Sequence, residues 1–92
     1  MPASLFTAAH GQLVAALVAM RKEAGLTQRQ LAQKLGREQN YVARIETRQR
    51  RLDLIELVQL CRACGREPKS TLAAIIAEIA DAVPAAKPKG KR

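Results

Sequence analysis

Aromatic side chains are nearly absent: the 92 residues include one Phe, one Tyr and no Trp. Any core must therefore be aliphatic, and the 48% apolar content supplies it through Leu, Ile, Val and Ala. Two cysteines are too few for a disulfide-stapled scaffold. A single histidine, His10, rules out a His-rich metal site and reads as a surface residue. No apolar run approaches the roughly 18 residues that span a bilayer. Met1-Pro2-Ala3-Ser4-Leu5-Phe6 lacks the basic flank and cleavage pattern of a secretory signal. The expectation is one soluble, cytoplasmic domain, short enough to leave little chain unused. Acidic residues are scarce too. Eight Asp/Glu face sixteen Lys/Arg, a net charge of +8, which points to a polyanionic partner, either nucleic acid or an anionic membrane surface.

Half of that charge lies in the last ten residues. Residues 83–92 hold Lys87, Lys89, Lys91 and Arg92 beside two prolines and a glycine, with no acid. With almost nothing to bury, they are expected to form a disordered basic tail, solvated or in loose contact with phosphates. Residues 1–82 form the expected domain. Strand patterns are absent there, and Gly25, Gly36 and Gly65 each follow a helical run at a place suited to a left-handed C-terminal residue.

Five helices follow. The first runs from about Thr7 to Ala24, with Leu13, Ala16, Leu17, Met20 and Ala24 on one face. The second opens at Thr27 with a capping box through Gln30, buries Leu31, Ala32 and Leu35, and stops at Gly36. The third spans about Glu38 to Glu46, with Val42 and Ile45 inward and a weak cap, since Arg37 is a poor N-cap. The fourth begins at Asp53, boxed by Glu56, and buries Leu57, Leu60, Cys61 and Cys64. The fifth starts near Pro68 and carries Leu72, Ile75, Ile76 and Ile79, ending before Pro84. Cys61 and Cys64 share the apolar face of the fourth helix. With no second pair and no nearby His they read as buried free thiols rather than as a metal or redox site. No Ser/His/Asp set, phosphate-cradling glycine loop or partnered carboxylate pair stands out, so no enzyme and no cofactor is expected.

Residues 28–47 resemble the helix-turn-helix of the lambda-repressor/Cro type, the XRE-like family. Ala32 falls at the fifth position, where two helices cross closely, and Gly36 at the ninth, where the turn needs positive φ. Leu31, Leu35, Val42 and Ile45 occupy the motif's buried positions, and the likeness extends over about residues 10–66. It departs at Arg37, where Ser or Thr is common, and in its few aromatics.

The resemblance implies an all-α, compact five-helix bundle that binds double-stranded operator DNA as a homodimer. Its recognition helix, about 38–46, would lie in the major groove. Gln39, Asn40 and Arg44 would read base edges, with Tyr41 and Ala43 flanking. Gln28, Arg37, Arg48, Arg50 and Arg51 would meet phosphates. Arg21 and Glu46 would form a structural ion pair, and the apolar residues of the fifth helix would mate with a second copy. The expected role is a nucleoid-associated transcriptional repressor or autoregulator on a palindromic operator. An antitoxin-type module with a partner protein and a restriction–modification controller share that site and stay open. A basic protein-interaction or membrane-surface module is disfavoured, because a membrane helix would place its cations around one apolar stripe.

Overall fold

The structure, a computed structural model, describes residues 7–85. Five helices follow one another: α1 (Ala8–Glu23), α2 (Gln28–Leu35), α3 (Gln39–Glu46), α4 (Leu54–Ala63) and α5 (Pro68–Ile79). A 3-10 turn, Ala80–Ala82, extends α5. There is no strand among the described residues. The basic residues expected in a disordered tail, Lys87, Lys89, Lys91 and Arg92, lie outside the described residues.

Local chemistry sets the helix starts. Thr27 and Asp53 each accept the backbone N–H three residues on, while Gln30 and Glu56 return bonds to the cap N–H, closing both capping boxes. Thr7 caps α1 through the His10 N–H, and Glu67 caps α5 ahead of Pro68. Each of the Thr and Asp caps contributes about 1 kcal/mol. The cap of α3 is Glu38 rather than Arg37, and it makes no side-chain capping bond.

The core is aliphatic and continuous. Leu17, Met20, Leu31, Ala32, Val42, Ile45, Leu60, Cys61 and Ile75 form its centre, with Tyr41 and Cys64 at its margin. Leu13, Ala16, Ala24, Leu35, Leu57, Leu72 and Ile79 pack around it half-buried. Both cysteines are free and buried, and burial pushes their thiols up, away from the reactive thiolate.

Two sequence expectations need correction. The inward face of α1 is His10, Val14, Leu17, Met20 and Arg21, so Val14 rather than Leu13 is buried. His10, expected at the surface, is 5% exposed. It lies within reach of the Arg48 and Arg51 charges of the segment after α3, and among the described residues its Nε2 has no hydrogen-bond partner. Burial, together with the nearby Arg51 and Arg48 charges, holds its imidazole below the usual histidine range. In α5, Ile75 points into the core while Ile76 is 60% exposed. No helix among the described residues is long and apolar enough to cross a membrane.

Candidate nucleic-acid interface

Residues 28–46 form two short helices packed closely on each other through Ala32, which is 1% exposed. A larger side chain there has no space to enter. Between the helices the chain reverses at Gly36, whose φ is 69°. The Arg37 N–H donates to the Ala32 carbonyl at 2.9 Å and the Gly36 N–H to the Gln33 carbonyl at 3.1 Å. That pair of bonds is a Schellman closure, which demands a left-handed residue at its fifth position. Gly36 meets the demand at least cost.

α3 divides cleanly into two faces. Tyr41, Val42 and Ile45 are buried. Gln39, Asn40, Arg44 and Thr47 are exposed and Ala43 is half-exposed. Spaced at 39, 40, 43, 44 and 47, they share one side of a helix with 3.6 residues per turn. The outward stripe is thus amide, amide, methyl and guanidinium, chemistry that matches hydrogen-bonding base edges and a thymine methyl, while the Thr47 hydroxyl at its end donates to the Ala43 carbonyl at 2.9 Å. The amide of Gln39 accepts a long hydrogen bond from Arg29 Nε at 3.4 Å. Arg29 was not among the residues expected at this surface. Its signal was its place in the first, exposed turn of α2, just past the Thr27 cap.

Behind the stripe a buried polar network fixes the frame. Arg21 donates to both carboxylate oxygens of Glu46, at 2.7 and 3.0 Å, and to the Leu26 carbonyl at 2.9 Å. The side chains of this ion pair are 11% and 9% exposed. Gln28 Nε2 donates to the same carboxylate at 2.8 Å. The bond to Glu46 raises the Arg21 guanidinium above its ordinary range. The expected Arg21–Glu46 pair is therefore present and ties α1 to the end of α3. The Gln28 side chain belongs to this network, leaving the first turn of α2 to offer backbone N–H groups.

The remaining cations fall into two groups. Arg37 and Arg50 stack on Tyr41, at 3.9 and 4.9 Å from the ring centroid. Arg50 is also held by Glu56, through Nη2 at 3.0 Å and Nη1 at 3.2 Å. This pairing lowers the Glu56 carboxyl, while burial and the Glu56 charge raise the Tyr41 phenol. Tyr41, 7% exposed, is thus a platform at the core's edge that orders two arginines. Together with Glu38, Asn40 and Arg44 the three line one shallow recess. Arg48 and Arg51 are not among the residues lining it; Arg48 lies against Gly11 of α1, and both charges reach His10.

A helix-turn-helix domain family model matches residues 12–74. No curated protein matches the chain significantly. Among solved structures, an XRE-family like protein from Pseudomonas syringae pv. tomato str. DC3000 is 39% identical, with a TM-score of 0.72 over 77% of this chain and 87% of that one. The clp gene regulator ClgR from Corynebacterium glutamicum is 25% identical, with a TM-score of 0.65 over 78% and 77% of the two chains. The restriction-modification controller protein C.Esp1396I, at 24% identity, shares the fold with a TM-score of 0.70 over 78% and 96%. The closely packed helix pair, its left-handed turn and these likenesses agree: the chain belongs to the XRE family of helix-turn-helix proteins.

Proposed function

We propose that this protein is a sequence-specific transcriptional repressor or autoregulator that binds a palindromic operator as a homodimer. Family membership supports the coarser statement that it is a DNA-binding transcription regulator. The observation that carries the finer reading is the division of α3 into a packed face and an exposed polar stripe of Gln39, Asn40 and Arg44. A helix anchored on its back presents its front with constant geometry, which base readout requires. In this reading Arg44 pairs with a guanine, Gln39 and Asn40 meet adenine edges or other base acceptors, and Ala43 lets the helix approach. Arg29 sets the orientation of the Gln39 amide. The first turn of α2 meets phosphates through backbone N–H groups. Arg37 and Arg50, ordered on Tyr41, flank α3 with further positive charge.

The homodimer reading rests on α5. Ile76 is 60% exposed and Val83 is 50% exposed, beside the half-buried Ile79. A second copy mated there about a twofold axis would set two recognition helices about 34–36 Å apart, one turn of DNA. Selection of bound sequences from a random DNA pool tests the whole reading. The expected product is a pair of inverted half-sites with that spacing. A pool that stays random after several rounds would refute it.

A further inference from the structure

Two residues of this fold sit against their own conformational preference, and they touch. The first is Arg48, the only non-glycine residue with positive φ among the described residues, at 64°. It ends α3 by the Schellman closure seen at Gly36: the Gln49 N–H donates to the Arg44 carbonyl at 2.8 Å and the Arg48 N–H to the Ile45 carbonyl at 3.1 Å. The same closure ends α1 at Gly25 and α4 at Gly65, so only here is the left-handed position filled by a residue with a Cβ. The second is Gly11, inside α1, where glycine is the poorest helix former after proline. A Cβ on Gly11 would lie 2.9 Å from Arg48 Nη1 and 3.4 Å from Arg48 Cζ. The missing side chain of one is the seat of the other's guanidinium.

That guanidinium is placed but not neutralised. None of the ion pairs among the described residues includes it, and no side-chain hydrogen bond does. Arg48 and Arg51 both act on His10, and with burial they lower its pKa, so the charges gathered around His10 are cationic. A structural arginine would be expected to hold a carboxylate or a carbonyl, as Arg21 and Arg50 do. Local strain of this kind persists where the surrounding structure over-determines it and the function uses it.

We propose that Arg48 is a pre-positioned contact to a DNA phosphodiester, with its left-handed backbone and the Gly11 seat holding the guanidinium beside the C-terminal end of the recognition helix. This rests on the DNA-binding reading and assigns it a specific device. A guanidinium already seated loses less rotamer freedom on binding than a free surface arginine, so its contact is stronger for the same charge. The contact carries no base information, since phosphates position rather than specify.

The experiment compares wild type, Arg48→Gly and Gly11→Ala on selected operator and on random duplex across a salt series, with thermal unfolding in parallel. Arg48→Gly is expected to melt higher, because glycine suits the left-handed position. It should bind both DNAs several-fold more weakly, with the slope of log K against log salt reduced by about 0.9 per subunit. Gly11→Ala keeps every charge but displaces the guanidinium. It should weaken both DNAs without a fall in melting temperature. Wild-type slope and affinity in Arg48→Gly would overturn the proposal, as would wild-type affinity in Gly11→Ala. Either result alongside a wild type that still prefers its operator leaves the function standing and removes only this inference. A wild type with no preference refutes the function, while the slopes on random duplex still judge Arg48.

Discussion

Replacing Glu46 by Ala should cost this domain a large share of its stability. The carboxylate accepts from Arg21 Nε, Arg21 Nη2 and Gln28 Nε2, all within 3.0 Å, and its side chain is 9% exposed. Removing it leaves the Arg21 guanidinium buried with only the Leu26 carbonyl as partner. Loss of one member of a buried pair costs about 3–5 kcal/mol, and the slight opening to solvent here favours about 3. A domain of this size has roughly 4–12 kcal/mol in total. At about 4–8 °C per kcal/mol, the melting temperature should fall by about 12–24 °C. Circular dichroism melts and urea titrations read both numbers. The exposed pair Arg66–Glu23 is the internal control, and Glu23→Ala should cost no more than about 0.5 kcal/mol. The double variant Arg21→Met with Glu46→Leu should recover most of the loss, because the uncompensated charge is gone. A Glu46→Ala cost below about 1 kcal/mol, the level of a surface pair, would show that the network does not brace α3 against α1.

Three further outcomes follow from named residues. Ile76→Asp, at an exposed position on α5, should leave the fold intact and give monomers in sedimentation with much weaker operator binding; wild-type dimerisation in this variant would move the interface elsewhere. Removing residues 84–92 should weaken specific and random binding by similar factors and keep the preferred sequence. If the tail makes two phosphate contacts per subunit, the salt slope of a dimer should fall by roughly 4. The His10 pKa is lowered by burial and by Arg51 and Arg48, so the unfolded chain takes up a proton first as pH falls. The stabilising effect of a neutral His10 is therefore full above about pH 6.5 and is lost below it, down to the folded-state pKa. Melts from pH 7.5 to 5 should show a steeper decline in wild type than in His10→Leu.

What could be read from the sequence was what short-range chemistry decides. Thr27 with Gln30, Asp53 with Glu56, and Gly36 each act within four residues, and all three hold in the structure. Ala32 and the buried set Leu31, Val42 and Ile45 were legible because two amphipathic helices at fixed spacing have few ways to pack. The phase of α1 was less legible. Ala8, Ala9, Ala15, Ala16 and Ala19 spread small apolar residues around the helix, so periodicity barely separates Leu13 from Val14. His10 was misread and Arg29 missed, and the seat of Arg48 was hidden, because their environments come from distant parts of the chain. His10 feels charges some forty residues later, Arg29 meets Gln39 across the turn, and the Arg48 guanidinium is seated by Gly11. Tyr41, expected to flank the base readers, is 7% exposed with Arg37 and Arg50 stacked on its ring, which puts it at the edge of the core.

Whether the outward face of α3 reads bases is decided by a double-mutant cycle on the selected operator. Wild type and Arg44→Ala are each titrated against the operator and against operators altered one base pair at a time in both half-sites. Arg44→Ala should lose about 1–3 kcal/mol per contacted base pair on the operator and become indifferent to one base pair per half-site, while keeping its preferences at the others. An equal loss on operator and random DNA, with every base preference intact, would contradict base reading and leave Arg44 as a backbone contact.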